Sequence, residues 1–281
     1  MELGVGSPAG LPTADPDLVV DWARRVDDGP FASLGTIDRI RYGNYEPLVT
    51  LAAAAAVTRR VRLVTSILIA PLRETTTLAK QIASLDALSG GRVTLGVAVG
   101  ARHDDYAVAE TDPSGRGARL AWQLAELRRL WEQGEVGPAP AQPGGPPILV
   151  GGLSGVAYAR MAAHGDGFIH AGGPPRAFAR AVEDASTAWA DAGRPGRPPA
   201  WSMAYYALGD EATVAAGRRY LLDYYAFTGS FAHRIADGLL ASTLDLRELV
   251  RGYEDAGCDH LLLFPAVAAG DQLEHLADAL A

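Results

Sequence analysis

The 281-residue chain has a single cysteine, Cys258, and a single lysine, Lys80. One thiol excludes an internal disulfide and a thiolate metal cluster, and fits a reducing cytoplasm. One lysine leaves one candidate for amine catalysis. A Schiff-base lyase would have to use Lys80, which falls in the middle of a helical pattern, away from any strand end. Positive charge is not in surplus either: 25 Lys and Arg stand against 33 Asp and Glu, a formal charge of −8. Nucleic acid and acidic membrane surfaces are therefore disfavoured as partners, because phosphate contacts need clustered cations. No apolar run approaches a membrane span, and the start Met1-Glu2-Leu3-Gly4-Val5-Gly6 lacks a cationic segment followed by a long apolar one. The expectation is a soluble cytoplasmic protein acting on small molecules. No His, Asp or Glu pair stands at metal-ligand spacing on one helix, and no Gly-x-Ser-x-Gly elbow occurs, so no metal is expected and no such nucleophile.

What the chain does have is hydrophobic residues, 48% of the total, arranged in runs. The segment Val61 to Pro71 and the segment Arg92 to Gly100 are apolar almost throughout and rich in β-branched residues. Strands covered on both faces read this way, whereas a one-sided sheet alternates. Between them Leu78, Ile82, Leu85 and Leu88 recur at helical spacing. Thr75 to Thr77 are expected to cap the start, and Gly90-Gly91 to end the helix. The unit is strand, helix, parallel strand.

The same periods predict strands over Glu2–Gly6, Phe31–Ile37, Val61–Ala70, Arg92–Val99, Pro147–Gly151, Asp166–His170, Trp201–Leu208 and His260–Phe264. Helical patterns fill the gaps: Asp17–Val26, Pro47–Thr58, Thr75–Leu88, Arg116–Gln133, Gly155–His164, Arg176–Ala192 and Gln272–Leu280. A long stretch, Asp210–Ala256, breaks near Thr228-Gly229-Ser230 into at least two helices. Its Tyr220, Tyr224, Tyr225 and Phe227 either pack on the barrel wall, cover the mouth or meet another subunit. Strand and helix alternate eight times, which predicts an α/β fold, a (β/α)8 TIM barrel, over an open doubly wound sheet. Residues 1–281 are read as one domain, since barrels of this length are routinely single. The Pro- and Gly-rich segment Gly134–Pro147 is a loop on the barrel rim within it.

In such a barrel the working groups sit at the C-terminal strand ends. That selects Asp38 and Arg39 after strand two, Ser66, Ile67 and Leu68 at strand three, Gly100, Arg102, His103, Asp104 and Asp105 after strand four, and His170 after strand six. His103 and His170 are the acid/base candidates, because imidazole titrates near neutrality. Arg39 or Arg102 can polarise a carbonyl or hold a phosphate. Asp104-Asp105 reads as an ordinary solvated loop start. Gly151-Gly152-Leu153-Ser154 lies between strand five and a helix start, where backbone N–H groups can face an anion, although the usual barrel phosphate site follows strands seven and eight.

Several ordered blocks carry a resemblance. Ser66-Ile67-Leu68-Ile69-Ala70-Pro71-Leu72-Arg73, Ala79-Lys80-Gln81, Leu85-Asp86-Ala87-Leu88-Ser89-Gly90-Gly91-Arg92 and Leu95-Gly96-Val97 to Gly100 resemble the core signature of the luciferase-like flavin or deazaflavin oxidoreductases. Pro147-Ile148-Leu149-Val150-Gly151-Gly152 with Gly165-Asp166-Gly167-Phe168 is similar to the family's second block. Together they cover about a third of the chain. The resemblance implies a luciferase-like barrel binding FMN or coenzyme F420 across its mouth, with a non-proline cis peptide at Ser66-Ile67 backing the ring. It implies cofactor contacts from Ser66, Ile67, Leu68, Val99, Gly100, Val150, Gly151, Gly152, Leu153 and Ser154. Reduced FMN from a separate reductase, used with O2 as a monooxygenase, is the first reading; F420-dependent hydride transfer is the second, with an F420 reductase as partner. Deazaflavin relatives carry a glutamate just after the strand-four glycine and a histidine after strand two. Here those places hold Ala101 and Asp38-Arg39, which leaves Asp38, Arg39, His103 and His170 as the catalytic candidates and raises the alternative of a cofactor-binding protein that has lost catalysis. The family's usual state implies a homodimer. Loops Tyr42–Pro47, Ala101–Pro113 and Thr228–His233 are expected to shape an unnamed small-molecule substrate.

Overall fold

In the computed structural model, which describes residues 1–281, eight parallel strands close on one another in sequence order. They are β1 (Glu2–Gly6), β2 (Ser33–Thr36), β3 (Arg62–Ile69), β4 (Val93–Ala98), β5 (Ile148–Gly151), β6 (Gly167–Ile169), β7 (Ala200–Tyr206) and β8 (His260–Pro265). The helices are α1 (Pro16–Asp28), α2 (Pro47–Val57), α3 (Thr75–Ser89), α4 (His103–Val108), α5 (Arg116–Glu132), α6 (Gly155–His164), α7 (Pro175–Asp191), α8 (Glu211–Tyr224), α9 (Phe231–Asp237), α10 (Thr243–Asp255) and α11 (Gln272–Leu280). This is the expected (β/α)8 barrel, and the open sheet is excluded by the pairing of β1 with β8.

The unbroken apolar strands have two separate jobs. Outward residues such as Leu63, Leu95, Val150, Phe168 and Leu261 pack against Trp22, Leu51, Ile82, Leu124 and Phe178 of the helices. Inward residues Val64, Leu149, Ile169, Met203, Leu262 and Phe264 fill the barrel itself. The filling is uneven. A Cβ on Gly6 would lie 2.0 Å from Phe264 Cδ1, so the Phe264 ring occupies the space that β1 leaves. At the barrel floor His260 stacks on Trp201 at 4.0 Å between ring centres, with Ser33 Oγ 2.7 Å and Glu2 Oε2 3.1 Å from its two ring nitrogens.

Local differences from the sequence reading have local causes. The cap of α3 is Glu74, whose carboxylate accepts from Thr76 and Thr77 N–H at 2.9 and 2.6 Å; Thr75 to Thr77 supply the donors and not the cap. The long polar stretch after β7 is three helices, α8 to α10, with a 3-10 turn at Ala226–Thr228 and Gly229 making the anticipated break. Asp104-Asp105 is not a solvated loop start: it lies in α4, and the Asp105 side chain is fully buried. The segment 134–147 is irregular, as expected, and is tied down by Gln142, whose N–H and Nε2 donate to Asp86, and by Lys80 Nζ, which donates to Gly137 O at 2.8 Å. No helix is long and apolar enough to cross a membrane.

Candidate functional site

The site is set by an irregularity in β3. Thr65 pairs with Leu95 and Leu68 with Val97, so Ser66 and Ile67 together face the single residue Gly96. Two residues against one is a bulge, which re-aims a side chain out of the regular alternation. A Cβ on Gly96 would lie 2.1 Å from Thr65 O and 3.0 Å from Ile67 Cγ2, so only glycine leaves the space. The Thr65 hydroxyl closes the arrangement by donating to Gly96 O at 2.8 Å. The Ser66-Ile67 peptide bond is cis. Ile67, half-buried, packs against the inner barrel cluster.

Opposite Ile67 the neighbouring strand ends are bare backbone. A Cβ on Gly151 would meet Ile67 Cδ1 at 2.8 Å, and one on Gly100 would meet Ile69 Cγ2 at 2.7 Å. Leu68 and Val150 are buried, and Val99 is half-buried, with its carbonyl accepting from Tyr106 Oη at 2.5 Å. The loop after β5 continues through Gly152, whose φ of +138° excludes ordinary side chains, then Leu153, which is exposed, and Ser154. Ser154 caps α6, its Oγ accepting from Ala157 N–H at 3.3 Å. The Gly155 and Val156 N–H groups that open α6 have no intrahelical acceptor, and the dipole there favours an anion. A shelf with no side chains beside a helix N-terminus fits a flat ring carrying an anionic tail. Ser66, Ile67, Gly100 and Gly151 would hold the ring, and the amides around Gly152 and Ser154 the tail. The loop follows β5, as the strand count predicts.

The candidates after β2 are committed to ion pairs. Asp38, buried, accepts from Ile69 N–H at 2.8 Å and takes both Nη atoms of Arg73, at 2.6 and 3.1 Å. Arg73 also reaches Glu46 at 2.9 Å. Arg39 pairs with Asp104 at 2.8 Å and Asp105 at 3.3 Å, while Asp105 accepts from Ile40 and Arg41 N–H at 3.0 and 2.7 Å. The two networks fix the β2–α2 loop against β3 and α4. The burial and pairing of Asp105 and Arg73 escaped the sequence reading, because a charged residue in a polar run gives no sign that it is buried.

The two histidines diverge. His103 opens α4, is exposed and makes no hydrogen bond. His170 is 3% exposed, and its ring meets Phe168 and Phe178 edge-on, on the outer side of β6, with Nδ1 accepting from Gly172 N–H at 3.1 Å. Burial holds its pKa down at about 4, so the ring is neutral at pH 7. Two strands round the barrel from Gly151, at and beyond the end of β7, stand aromatic residues. Tyr205, at the inner end of β7, shares a 3.0 Å hydroxyl contact with Tyr225, and Tyr224 meets Tyr42 edge-on at 5.2 Å. Of the readings left open for these tyrosines, covering the mouth is the one that fits the contacts of Tyr220 and Tyr225 with Tyr205, whose own ring lies against Phe264. Two open hollows of about 680 and 700 Å³ lie on the outer wall, around α6–α7 and at the α5–α6 base, and include neither Ile67 nor Gly100.

Comparison with known proteins agrees with this fold. The model of the luciferase-like monooxygenase family matches residues 1–257. An uncharacterized protein of Mycobacterium tuberculosis is 35% identical over 170 residues, covering 54% of this chain and 59% of that protein. The chain thus spans less than two thirds of the length of the curated relatives it matches. Monooxygenase RslO1 from Streptomyces bottropensis superposes with a TM-score of 0.82 at 21% identity, covering 100% of this chain and 98% of that one. An F420-dependent secondary alcohol dehydrogenase, solved with an F420-acetone adduct, gives 0.81 at 16% identity and covers 99% and 97%. At these identities the likeness to the solved structures is one of fold.

Proposed function

The chain belongs to the luciferase-like monooxygenase family, and from that premise we propose that it is a flavin-dependent monooxygenase using reduced FMN and O2 on a small organic substrate. The observation that carries the reading is the β3 bulge at Ser66-Ile67 beside two side-chain-free strand ends, Gly151 against Ile67 and Gly100 against Ile69. Strand ends without side chains let a planar ring approach the backbone closely. When bound, reduced FMN supplies two electrons that, with O2, leave one oxygen atom in the product and the other in water.

The chain's own residues orient and enclose. The Ile67 side chain supports the ring, the Gly152 to Ser154 amides hold the phosphate, and the tyrosines across the mouth exclude water from the reacting edge. Asp38 and Arg73 keep Ile69, and with it the end of β3, in place. His103, exposed at the start of α4, is the candidate imidazole that no other side chain engages; His170 packs outward and serves the β6 end.

F420-dependent hydride transfer is the second reading, favoured by the similarity to the F420-dependent alcohol dehydrogenase. Against it stands the absence of an ionisable group at Ala101 and the commitment of Asp38 and Arg39 to ion pairs. Parallel fluorescence titrations with FMN and F420 test the choice. Tight FMN binding with substrate-dependent O2 uptake supports the first reading, F420 binding with anaerobic turnover the second. Binding without turnover on any donor would mark a protein that has lost catalysis.

A separate reductase is proposed to deliver the reduced flavin. A second copy of the chain is proposed as partner at α2, whose outward face is Val49, Ala52, Ala53 and Ala56, without a charge anywhere between Pro47 and Val57. Light scattering at micromolar concentration reads that mass directly.

A further inference from the structure

Three arginines crowd the mouth, and their charges are balanced unequally. Arg39 has two carboxylates and Arg73 has two. Arg102 has no carboxylate within ion-pair distance, although it is only 9% exposed. Its side chain leaves the end of β4 and lies over the rings of Tyr224 at 4.2 Å and Phe227 at 4.3 Å, with Tyr225 at 5.6 Å. Tyr225 in turn touches Tyr205 of β7, so Arg102 and the tyrosines span the mouth from β4 to β7. One terminal nitrogen, Nη2, donates to Tyr224 O at 2.8 Å; Nε is buried and has no acceptor.

A buried cation without a counter-charge is costly, and the carbonyl at the end of α8 together with the ring faces offers only partial negative charge. The neighbouring phenols do not supply the missing anion. Burial pushes Tyr205, Tyr220, Tyr224 and Tyr225 upward, so they stay protonated at pH 7. No carboxylate of the chain lies within ion-pair distance, which leaves Nε–H free for a ligand's oxygen. Asp104, Asp105 and Asp223 lie around the same cluster, Asp223 accepting from Tyr42 Oη at 2.6 Å, and that setting disfavours a multiply charged group such as a phosphate. The rings beside the guanidinium favour a flat, conjugated body.

We propose that Arg102 anchors the substrate, and that the substrate is a planar conjugated organic monoanion whose oxyanion, a carboxylate or an ionised enol, meets the unpaired edge of the guanidinium. This deepens the monooxygenase reading and rests on it for what happens to the bound molecule, but the anchoring itself is independent of the cofactor.

The test uses two probe pairs that differ by one methyl group: 2-hydroxy-1,4-naphthoquinone, ionised at pH 7, against its 2-methoxy ether, and 2-naphthoate against its methyl ester. Calorimetric titration of the wild-type protein should show at least one anion bound about 10- to 100-fold more tightly than its neutral partner, the range of a charge-assisted hydrogen bond. In Arg102→Gln that preference should fall to about threefold or less, with FMN or F420 affinity unchanged. The pair that discriminates tells enolate from carboxylate. Equal binding of anion and neutral partner by the wild type, or no binding of either anion, overturns the proposal without recourse to any variant. So does a preference that survives in Arg102→Gln, or that is lost only in Gly152→Asp, which would put the anion in the phosphate loop. If neither cofactor binds but the anion preference holds, the monooxygenase reading fails and the anchor stands.

Discussion

Gly96 faces the Thr65 carbonyl so closely that a Cβ would sit 2.1 Å from the oxygen. The obstacle is backbone, which cannot swing away as a side-chain tip can. Gly96→Ala is therefore expected to push β3 and β4 apart where Ile67 turns into the mouth, costing at least about 2 kcal/mol. Urea unfolding measures the loss, and cofactor titration should show weakened binding in the same variant. An unchanged midpoint would mean that the strands absorb the methyl group and that the bulge does not depend on Gly96.

Gly152→Asp adds three faults at one position: a side chain at φ +138°, a Cβ 2.6 Å from Ala157 Cβ, and a carboxylate where the α6 amides favour an anionic ligand. Cofactor affinity should drop at least about tenfold, equivalent to 1.4 kcal/mol. Ser154→Ala, which removes only the cap of α6, should lower stability by about 1 kcal/mol and affinity far less. Wild-type affinity in Gly152→Asp would rule out this loop as the phosphate site.

Asp38 was selected by its place at a strand end, and its contacts give it a holding role. Asp38→Ala leaves Arg73 in a mostly buried setting with only Glu46, and should cost about 3 kcal/mol. Thermal unfolding and cofactor titration should fall together, because Ile69 N–H loses its acceptor at the same time. A stable Asp38→Asn variant that binds cofactor normally but loses one limb of its pH-rate profile would instead make Asp38 a proton carrier.

Two buried histidines predict an acid-sensitive fold. Burial holds His170 and His260 at about 4, against an ordinary 6.5. Between those values the unfolded chain binds the extra protons, so stability is complete above about pH 6.5 and declines as pH falls toward 4, by up to roughly 3 kcal/mol for each ring. Urea midpoints at pH 7.5, 6 and 5 should drop in that order. The carboxylates whose pKa is lowered, such as Glu74 at about 2, release their share only at lower pH. A flat profile down to pH 5 would show that both rings are accommodated as cations.

The barrel was legible because each strand is covered twice. Leu261 and Leu263 face helices while Leu262 and Phe264 face the interior, and that double demand removes polar residues from the run. Gly151-Gly152 and Ser154 were legible because a turn and a cap each ask for a narrow set of residue types. The charged groups were not. His103-Asp104-Asp105-Tyr106 looks like a solvated turn, yet Asp105 is enclosed by Arg39 and two amides contributed from another loop, 64 to 66 residues earlier in the chain. Arg102 is a single basic residue in sequence, and its lack of a partner exists only once α8 brings Tyr224 and Phe227 over it. Spacing along the chain reports what a residue's neighbours in the same element demand; it is silent about charges supplied across the mouth.

The lone Lys80 gives the protein a chemical handle. Its ammonium reaches Gly137 in the loop that leads into β5, hence toward the end of the barrel opposite Ile67 and Gly151. Amine-reactive dyes, biotin reagents or sensor surfaces will find one side-chain amine, and it is on the outer helix wall, tied to the floor-side loop. Molecules immobilised through it present their openings to solution in a single orientation, so ligand capture can be followed on a surface without a tag near the entrance.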